Sequence, residues 1–193
     1  IKKVLFTSSD KAVSPTNVMG GTKLLGERLF ISANKLAFQS ATQTKFANTR
    51  FGNVLGSNGS VIPIFKDQIK NKKPITVTDS RMTRFFMSLS EASALVLQSL
   101  MLCEGGETFI TKMPVINIHD LAMVIKEELD DSDSSEIIVI GARQGEKLYE
   151  ELSSEEETRR QLESEKFFCV IDSHINMNSS NVENLKTKGF DFS

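Results

Sequence analysis

A chain of 193 residues, 39% hydrophobic and 25% charged, is long enough to bury the core of one domain, or of one domain and a small lobe. A formal net charge of −2, with one short basic run at Lys70, Lys72 and Lys73, argues against a nucleic-acid footprint, which needs a clustered basic surface. Two distant cysteines, Cys103 and Cys169, have no metal or redox spacing and fit free thiols in a reducing compartment; no apolar run reaches the length of a membrane span and no signal peptide is visible.

Val4 to Thr7 is apolar and β-prone and predicts a buried strand that runs into a polar loop at 8–17. The chain opens on Ile1 and on a strand with no preceding partner, so the natural protein is expected to extend further toward the N-terminus. Leu25, Leu29, Ala33 and Leu36 recur at helical spacing and predict a helix over 18–38. A strand over 45–54, a Gly/Ser loop at 56–60, a short helix over 61–70 and a strand over 74–78 follow. Ser90 is the expected N-cap of the next helix, with Ala94, Leu95, Gln98 and Leu102 along it. A strand over 108–112 leads to Asn117, which is expected to cap a helix reaching Leu129 with Asp120 in its first turn. An acidic loop at 130–135, a strand over 136–140, a last helix from near Gly145 to the glutamates at 155–157, and an edge strand over 167–171 complete the order. The Asn/Ser-rich end after His174 reads as loosely ordered. Strands alternating with helices predict an α/β protein with a mainly parallel sheet.

In such a sheet, ligands gather at the carboxyl ends of the strands. Three loops are expected there: one with Asp10 and Lys11, one with Asn53 and Ser57, one with Arg143 and Glu146. His119 and His174 lack carboxylate or cysteine neighbours at ligand spacing, so no metal site is expected; Met82, Phe85, Phe86, Met87 and Met101 read as packing.

The segment Ser9-Asp10-Lys11-Ala12-Val13-x-Pro15-Thr16-Asn17-x-Met19-Gly20-x-Thr22-Lys23 resembles the active-site segment of UDP-N-acetylglucosamine 4,6-dehydratases, in the polysaccharide-biosynthesis branch of the extended short-chain dehydrogenase/reductases. The likeness continues through 50–57, 59–65, 82–87 and 143–152, five blocks in order. It implies a partial Rossmann-like, doubly wound parallel sheet with a small substrate-binding lobe. Residues 1–56 would be the C-terminal part of an NAD(P)-binding domain. Residues 57–175 would be the UDP-sugar lobe, with 84–112 returning to the Rossmann core, and 176–193 a loosely ordered tail.

The family implies a role for each matching residue. Lys23 would hold the nicotinamide ribose, with Ser8 and Pro15 beside the cofactor, which is NAD or NADP. Ordinary members carry a tyrosine one helical turn before that lysine, its pKa lowered by the ammonium. Here Met19 takes that place, as in some other members, and it has no proton to lose. Asp10 or Lys11 would then also serve the first half-reaction, directly or through water. Lys11 is assigned to the C5 proton and Asp10 to the leaving C6 hydroxyl, with the reverse open. Ser9 would hydrogen-bond the sugar near O4, with a cap or turn role as competitor. Asn53 would orient the sugar nucleotide, Arg84 and Arg143 would bind the diphosphate, and Glu146 the uridine ribose. Arg81 reads as a surface ion pair.

The chain carries no glycine-rich strand–turn–helix for the cofactor pyrophosphate, so it would hold half a cofactor site and most of a sugar-nucleotide site. The resemblance therefore implies a UDP-sugar 4,6-dehydratase making glycan precursors in the cytoplasm, with a small-molecule substrate and a homo-oligomeric assembly. A C4 epimerase on the same scaffold, or a non-catalytic nucleotide-sugar binding module, are the alternatives.

Overall fold

The computed structural model describes residues 1–40, 42–130, 135–175 and 179–192. In chain order the elements are β1 (Lys3–Ser9), α1 (Val18–Gln39), β2 (Lys45–Phe51), β3 (Asn53–Val54), α2 (Val61–Lys70), β4 (Ile75–Val77), β5 (Thr83–Met87), α3 (Leu89–Leu102), β6 (Glu107–Thr111), β7 (Val115–Asn117), α4 (Ile118–Leu129), β8 (Ile137–Val139), α5 (Glu155–Thr158), β9 (Gln161–Glu163), β10 (Phe167–Ile171), α6 (Ser180–Thr187) and β11 (Asp191–Phe192). They form two compact units: residues 1–51, 90–112 and 151–193, and residues 52–89 and 113–150. The crossing falls after Phe51, earlier than the expected 56, and 151–175 belongs to the first unit instead of the substrate lobe. Within 84–112, only 90–112 returns to the first unit; β5 stays in the second.

The first unit is built on one six-stranded sheet in the order β1-β2-β6-β10-β9-β11. β1, β2 and β6 run parallel, with Thr7 opposite Thr49 and Thr49 opposite Phe109. β10 runs antiparallel to both β6 and β9, so the stretch expected at the edge is a central strand. Its Cys169, Val170 and Ile171 are buried, which is what two-sided pairing requires and what the short apolar run alone could not show. Residues 179–192 likewise depart from the expected loose tail: α6 buries Val182 and Leu185, and Phe190 packs with Phe109 at 6.4 Å between ring centroids. Three apolar anchors outweigh the polar composition around them; 176–178, and 131–134 of the acidic loop, lie outside the described residues.

α1 starts where Asn17 Oδ1 accepts the Gly20 amide at 2.9 Å. It lies close on β1, because a Cβ on Gly26 would stand 2.3 Å from the Phe6 ring. Leu25, Leu29 and Leu36, whose spacing identifies the helix, are on its exposed side at 61%, 60% and 63%. α3 begins at Leu89, so Ser90 is inside the helix; its buried face is Ala92, Leu95 and Ser99, while Met101, expected to pack, is exposed. Cys103 and Cys169 are buried free thiols, and burial pushes Cys103 up to about 12.

The second unit holds a three-stranded sheet, β3-β5-β7, and a two-stranded parallel sheet, β4-β8. Phe65 of α2, Ile75 and Val77 of β4, Phe86 of β5, and Ile118, Ala122 and Ile125 of α4 form its core with Met82. Asn117 caps α4, accepting the His119 and Asp120 amides. The helix expected from Gly145 does not form. The carbonyls of Lys147 and Leu148 that its hydrogen bonds would need are taken by Arg84, and Leu148 also accepts the Thr83 amide. In the first unit a single turn, α5, follows at 155–158, with Ser154 and Glu157 forming a capping box. No helix among the described residues is long and apolar enough to cross a membrane.

Candidate active site

In the first unit, β1 ends in Ser9, which N-caps a 3-10 turn over Asp10–Ala12. The turn places three donors on one carboxylate oxygen: Asp10 Oδ1 accepts from Ser9 Oγ at 2.8 Å, the Lys11 amide at 2.8 Å and Lys11 Nζ at 2.9 Å. Asp10 is fully buried, and its Oδ2 has no hydrogen-bond partner among the described residues. Lys11 remains partly exposed, at 24% of its side chain. The Ser9 hydroxyl is turned to Asp10 and accepts the Lys11 amide at 3.3 Å, the cap role that competed with sugar binding. Thus Lys11, and not Asp10, is the member of the pair that reaches the surface of this unit.

Lys23, in the second turn of α1, donates to the Thr7 carbonyl at 3.0 Å and lies 5.3 Å from the centre of the Phe6 ring. Met19, one turn earlier, is half exposed. Gly20 sits directly under the turn, with Pro15 beside it: a Cβ there would be 2.3 Å from the Lys11 carbonyl oxygen and 3.0 Å from Pro15 Cβ. The Ser8 hydroxyl is buried with no hydrogen-bond partner among the described residues.

An ammonium has three donors, and Thr7 takes one, so Lys23 suits the ribose hydroxyls of a nicotinamide nucleotide. Among the described residues of the first unit there is no glycine-rich strand–turn–helix for the dinucleotide's pyrophosphate: the β1–α1 connection has no glycine, Gly20 and Gly21 lie inside α1, and Gly56 and Gly59 belong to the β3–α2 turn of the second unit. The residues present fit the nicotinamide-ribose end of the cofactor and no more.

The second unit contains a cavity of about 200 Å³ lined by Asn53, Thr76, Thr78, Arg84, Arg143 and Glu146 over an apolar floor that includes Phe65 and Ile118. That volume is below the roughly 300–1,000 Å³ of a site for a whole drug-sized ligand, so it accommodates part of one. Glu146 is held from two sides: Oε2 accepts the Arg143 amide at 3.0 Å, and Oε1 accepts from Thr78 Oγ1 at 3.3 Å. Arg84 is 3.8 Å from Glu146, but its guanidinium donates to the carbonyls of Thr83, Lys147 and Leu148 at 2.7, 2.9 and 3.2 Å. It is a buried brace of the 143–150 segment, while Arg143 is an exposed cation on the cavity wall. Arg81 pairs with Asp79 outside the cavity, at 2.8 Å.

Thr76 and Thr78 were not singled out in the sequence. The signal was the alternation of β4, where Ile75 and Val77 enter the core and the threonines face the other way. Gln68 of α2 fixes Thr76 by exchanging two hydrogen bonds with its amide and hydroxyl, at 3.1 and 2.8 Å.

The parallel strands with a crossing helix define a Rossmann-like α/β fold. A dTDP-glucose 4,6-dehydratase from Streptomyces venezuelae, solved with NAD, shares that fold at 15% identity, with a TM-score of 0.65 over 81% of this chain and 53% of its own. The chain belongs to the polysaccharide biosynthesis protein family, whose profile matches residues 1–172. It is 37% identical over 203 residues to the inverting UDP-N-acetylglucosamine 4,6-dehydratase of Campylobacter jejuni, covering all of this chain and 58% of the relative. It is 44% identical over 157 residues to a UDP-glucose 4-epimerase of Rickettsia massiliae, covering 81% and 45% respectively. The solved structure of Pen from Bacillus thuringiensis is 45% identical and superposes with a TM-score of 0.85 over 90% of this chain and 54% of that one. The chain thus spans about half the length of these relatives.

Proposed function

We propose that the chain is the catalytic and substrate-binding part of a UDP-N-acetylglucosamine 4,6-dehydratase. The observation that carries this reading is the Asp10–Lys11 pair at the carboxyl end of β1, with Lys23 donating to the same strand. A C4 epimerase needs no acid–base pair beyond the oxidation step, whereas elimination needs a base at C5 and an acid at O6.

When bound, the nicotinamide dinucleotide, NAD or NADP, supplies the hydride acceptor for C4 and the donor for C6. Lys23 would hold the nicotinamide ribose. In the 4-keto sugar the C5 proton is acidic; Lys11, as the neutral amine once its proton has passed to Asp10 Oδ1, would take it as the C5–C6 double bond forms and the C6 hydroxyl leaves as water with a proton from the pair, and when C6 receives hydride the pair would return a proton to C5. Asp10 Oδ1, which accepts from Lys11 Nζ, would exchange a proton with it, so that Lys11, the member that reaches the surface, meets the sugar for both. Met19 takes no part in proton transfer, so the same pair serves the C4 hydroxyl. In the second unit, Arg143 would meet the diphosphate and Glu146 the ribose hydroxyls, with Asn53 on the same cavity wall.

The test is incubation of the complete protein with UDP-N-acetylglucosamine and detection of a 4-keto-6-deoxy sugar by NMR. Lys11→Ala should abolish that product, and retained turnover would sink the assignment. The relative that is a UDP-glucose 4-epimerase gives the second reading its support; a C4-epimerised product with O6 retained would establish it instead.

A further inference from the structure

Arg50, near the end of β2, is 2% exposed and each of its five N–H donors is used. Nε and Nη2 grip Glu27 of α1 at 2.9 and 2.7 Å; Nη1 and Nη2 grip Glu157 of α5 at 2.9 and 2.7 Å; Nη1 also donates to the Leu152 carbonyl at 3.0 Å. Both carboxylates are buried. Burial alone would lower the guanidinium pKa, but the two carboxylates hold it above its ordinary value. The far end of the grip is itself fixed, since Glu157 Oε2 accepts the Ser154 amide of the capping box at 2.9 Å.

Stability alone does not call for such an arrangement, because well-packed apolar residues would serve a core as well or better. What the triad adds is geometry. Of the twenty-two residues of α1, just Gly20, Glu27 and Ala37 are fully buried. Gly20 meets the Lys11 turn through its backbone, and Ala37 offers a single methyl. Glu27 is therefore the one fully buried α1 residue with a long side chain, and it stands four residues after Lys23 and eight after Met19, on one helix face.

We propose that Arg50 is a positioning residue: by gripping Glu27 and Glu157 at once it sets the rotation and axial position of α1, and so keeps the Lys23 ammonium at the Thr7 carbonyl. A slip of one residue would move Lys23 by about 1.5 Å along the helix axis and turn it by about 100°. The idea rests on the dehydratase reading for its kinetic test and stands apart from it in its structural test.

The experiment compares complete wild-type protein with Arg50→Lys, which keeps the charge and loses the fork, and with the triple variant Glu27→Met, Arg50→Met, Glu157→Leu, which removes all three charges. Expected in folded Arg50→Lys is a fall in kcat of about a hundredfold with KM for the UDP-sugar within about twofold, and faster amide exchange across residues 19–27 than in the six-stranded sheet. The triple variant should regain thermal stability without regaining kcat. Wild-type kcat in either folded variant would overturn the proposal, as would unchanged exchange over 19–27. Loss of the folded state in both would make the triad a determinant of folding, and would overturn it too. Should the wild type give no 4-keto sugar, the dehydratase reading fails, and the exchange measurement still decides the role of Arg50.

Discussion

Gly20 lies so close beneath Lys11 that a Cβ on it would stand 2.3 Å from the Lys11 carbonyl oxygen. The helix that carries Lys23 and the turn that carries Asp10 and Lys11 are therefore in backbone contact, with no side chain between them. Gly26 allows a similar approach, but there the obstacle is the tip of the Phe6 ring, also at 2.3 Å. A ring can tilt, whereas a carbonyl in a hydrogen-bonded turn cannot move without disturbing the turn. Gly20→Ala is expected to cost about 1–3 kcal/mol, and Gly26→Ala less. Urea unfolding of both variants checks the order; equal midpoints would show that α1 simply shifts outward.

Asp10 Oδ1 accepts three hydrogen bonds while Oδ2 accepts none. Asp10→Asn keeps an acceptor at one position but cannot hold or return a proton. It should lower kcat by about 10²–10⁴-fold, the usual worth of a general acid or base, with little change in substrate affinity. Steady-state kinetics and binding titration of the complete protein separate the two effects, and a rise in KM alone would assign Asp10 to binding.

The two arginines of the second unit should behave differently. Arg84 donates to the carbonyls of Thr83, Lys147 and Leu148, and Leu148 keeps the Thr83 amide, so Arg84→Ala takes a donor from the part-buried Thr83 and Lys147 carbonyls, at about 1–3 kcal/mol for each group left unpaired. Its melting temperature should fall. Arg143 is exposed, and Arg143→Ala should leave the melting temperature unchanged while weakening binding of uridine diphosphate. Calorimetric melting and titration with that nucleotide check both, and a stable Arg84→Ala with weakened binding would make Arg84 the diphosphate ligand.

Much of the fold was legible because local chemistry agreed with it. Asn117 caps α4 as its side chain led one to expect, and the apolar run at 4–7 lies within β1. What was not legible depended on distant partners. The stretch 167–171 reads the same at an edge or in the middle of a sheet, and only pairing with β6 and β9 decides. The segment after Gly145 has a helical pattern, but Arg84, sixty-three residues before Lys147, takes its carbonyls. At the candidate site, Lys11 and Lys23 stood out through motif and spacing. Arg50, Glu27 and Glu157 did not, since each is unremarkable alone and they meet across separations of 23 and 107 residues.

The same triad predicts how stability depends on pH. Burial would raise the Glu157 carboxyl, yet the Arg50 fork and charge hold it at about 2, below its ordinary 4.5. A carboxyl lowered by folding contributes stability that is fully present above the unfolded value and is lost as pH falls through the folded one. Glu107, buried and accepting the Glu104 and Gly105 amides, is shifted the opposite way by burial, so its contribution is lost as pH rises. That contribution is common to wild type and Glu157→Gln, and cancels in their difference. The stability advantage of wild type over Glu157→Gln should therefore be constant from neutral pH to about 5 and shrink steadily toward pH 2. Urea midpoints of the two proteins across that range measure it, and an advantage that grew on acidification would show that Glu157 is not held ionised by Arg50.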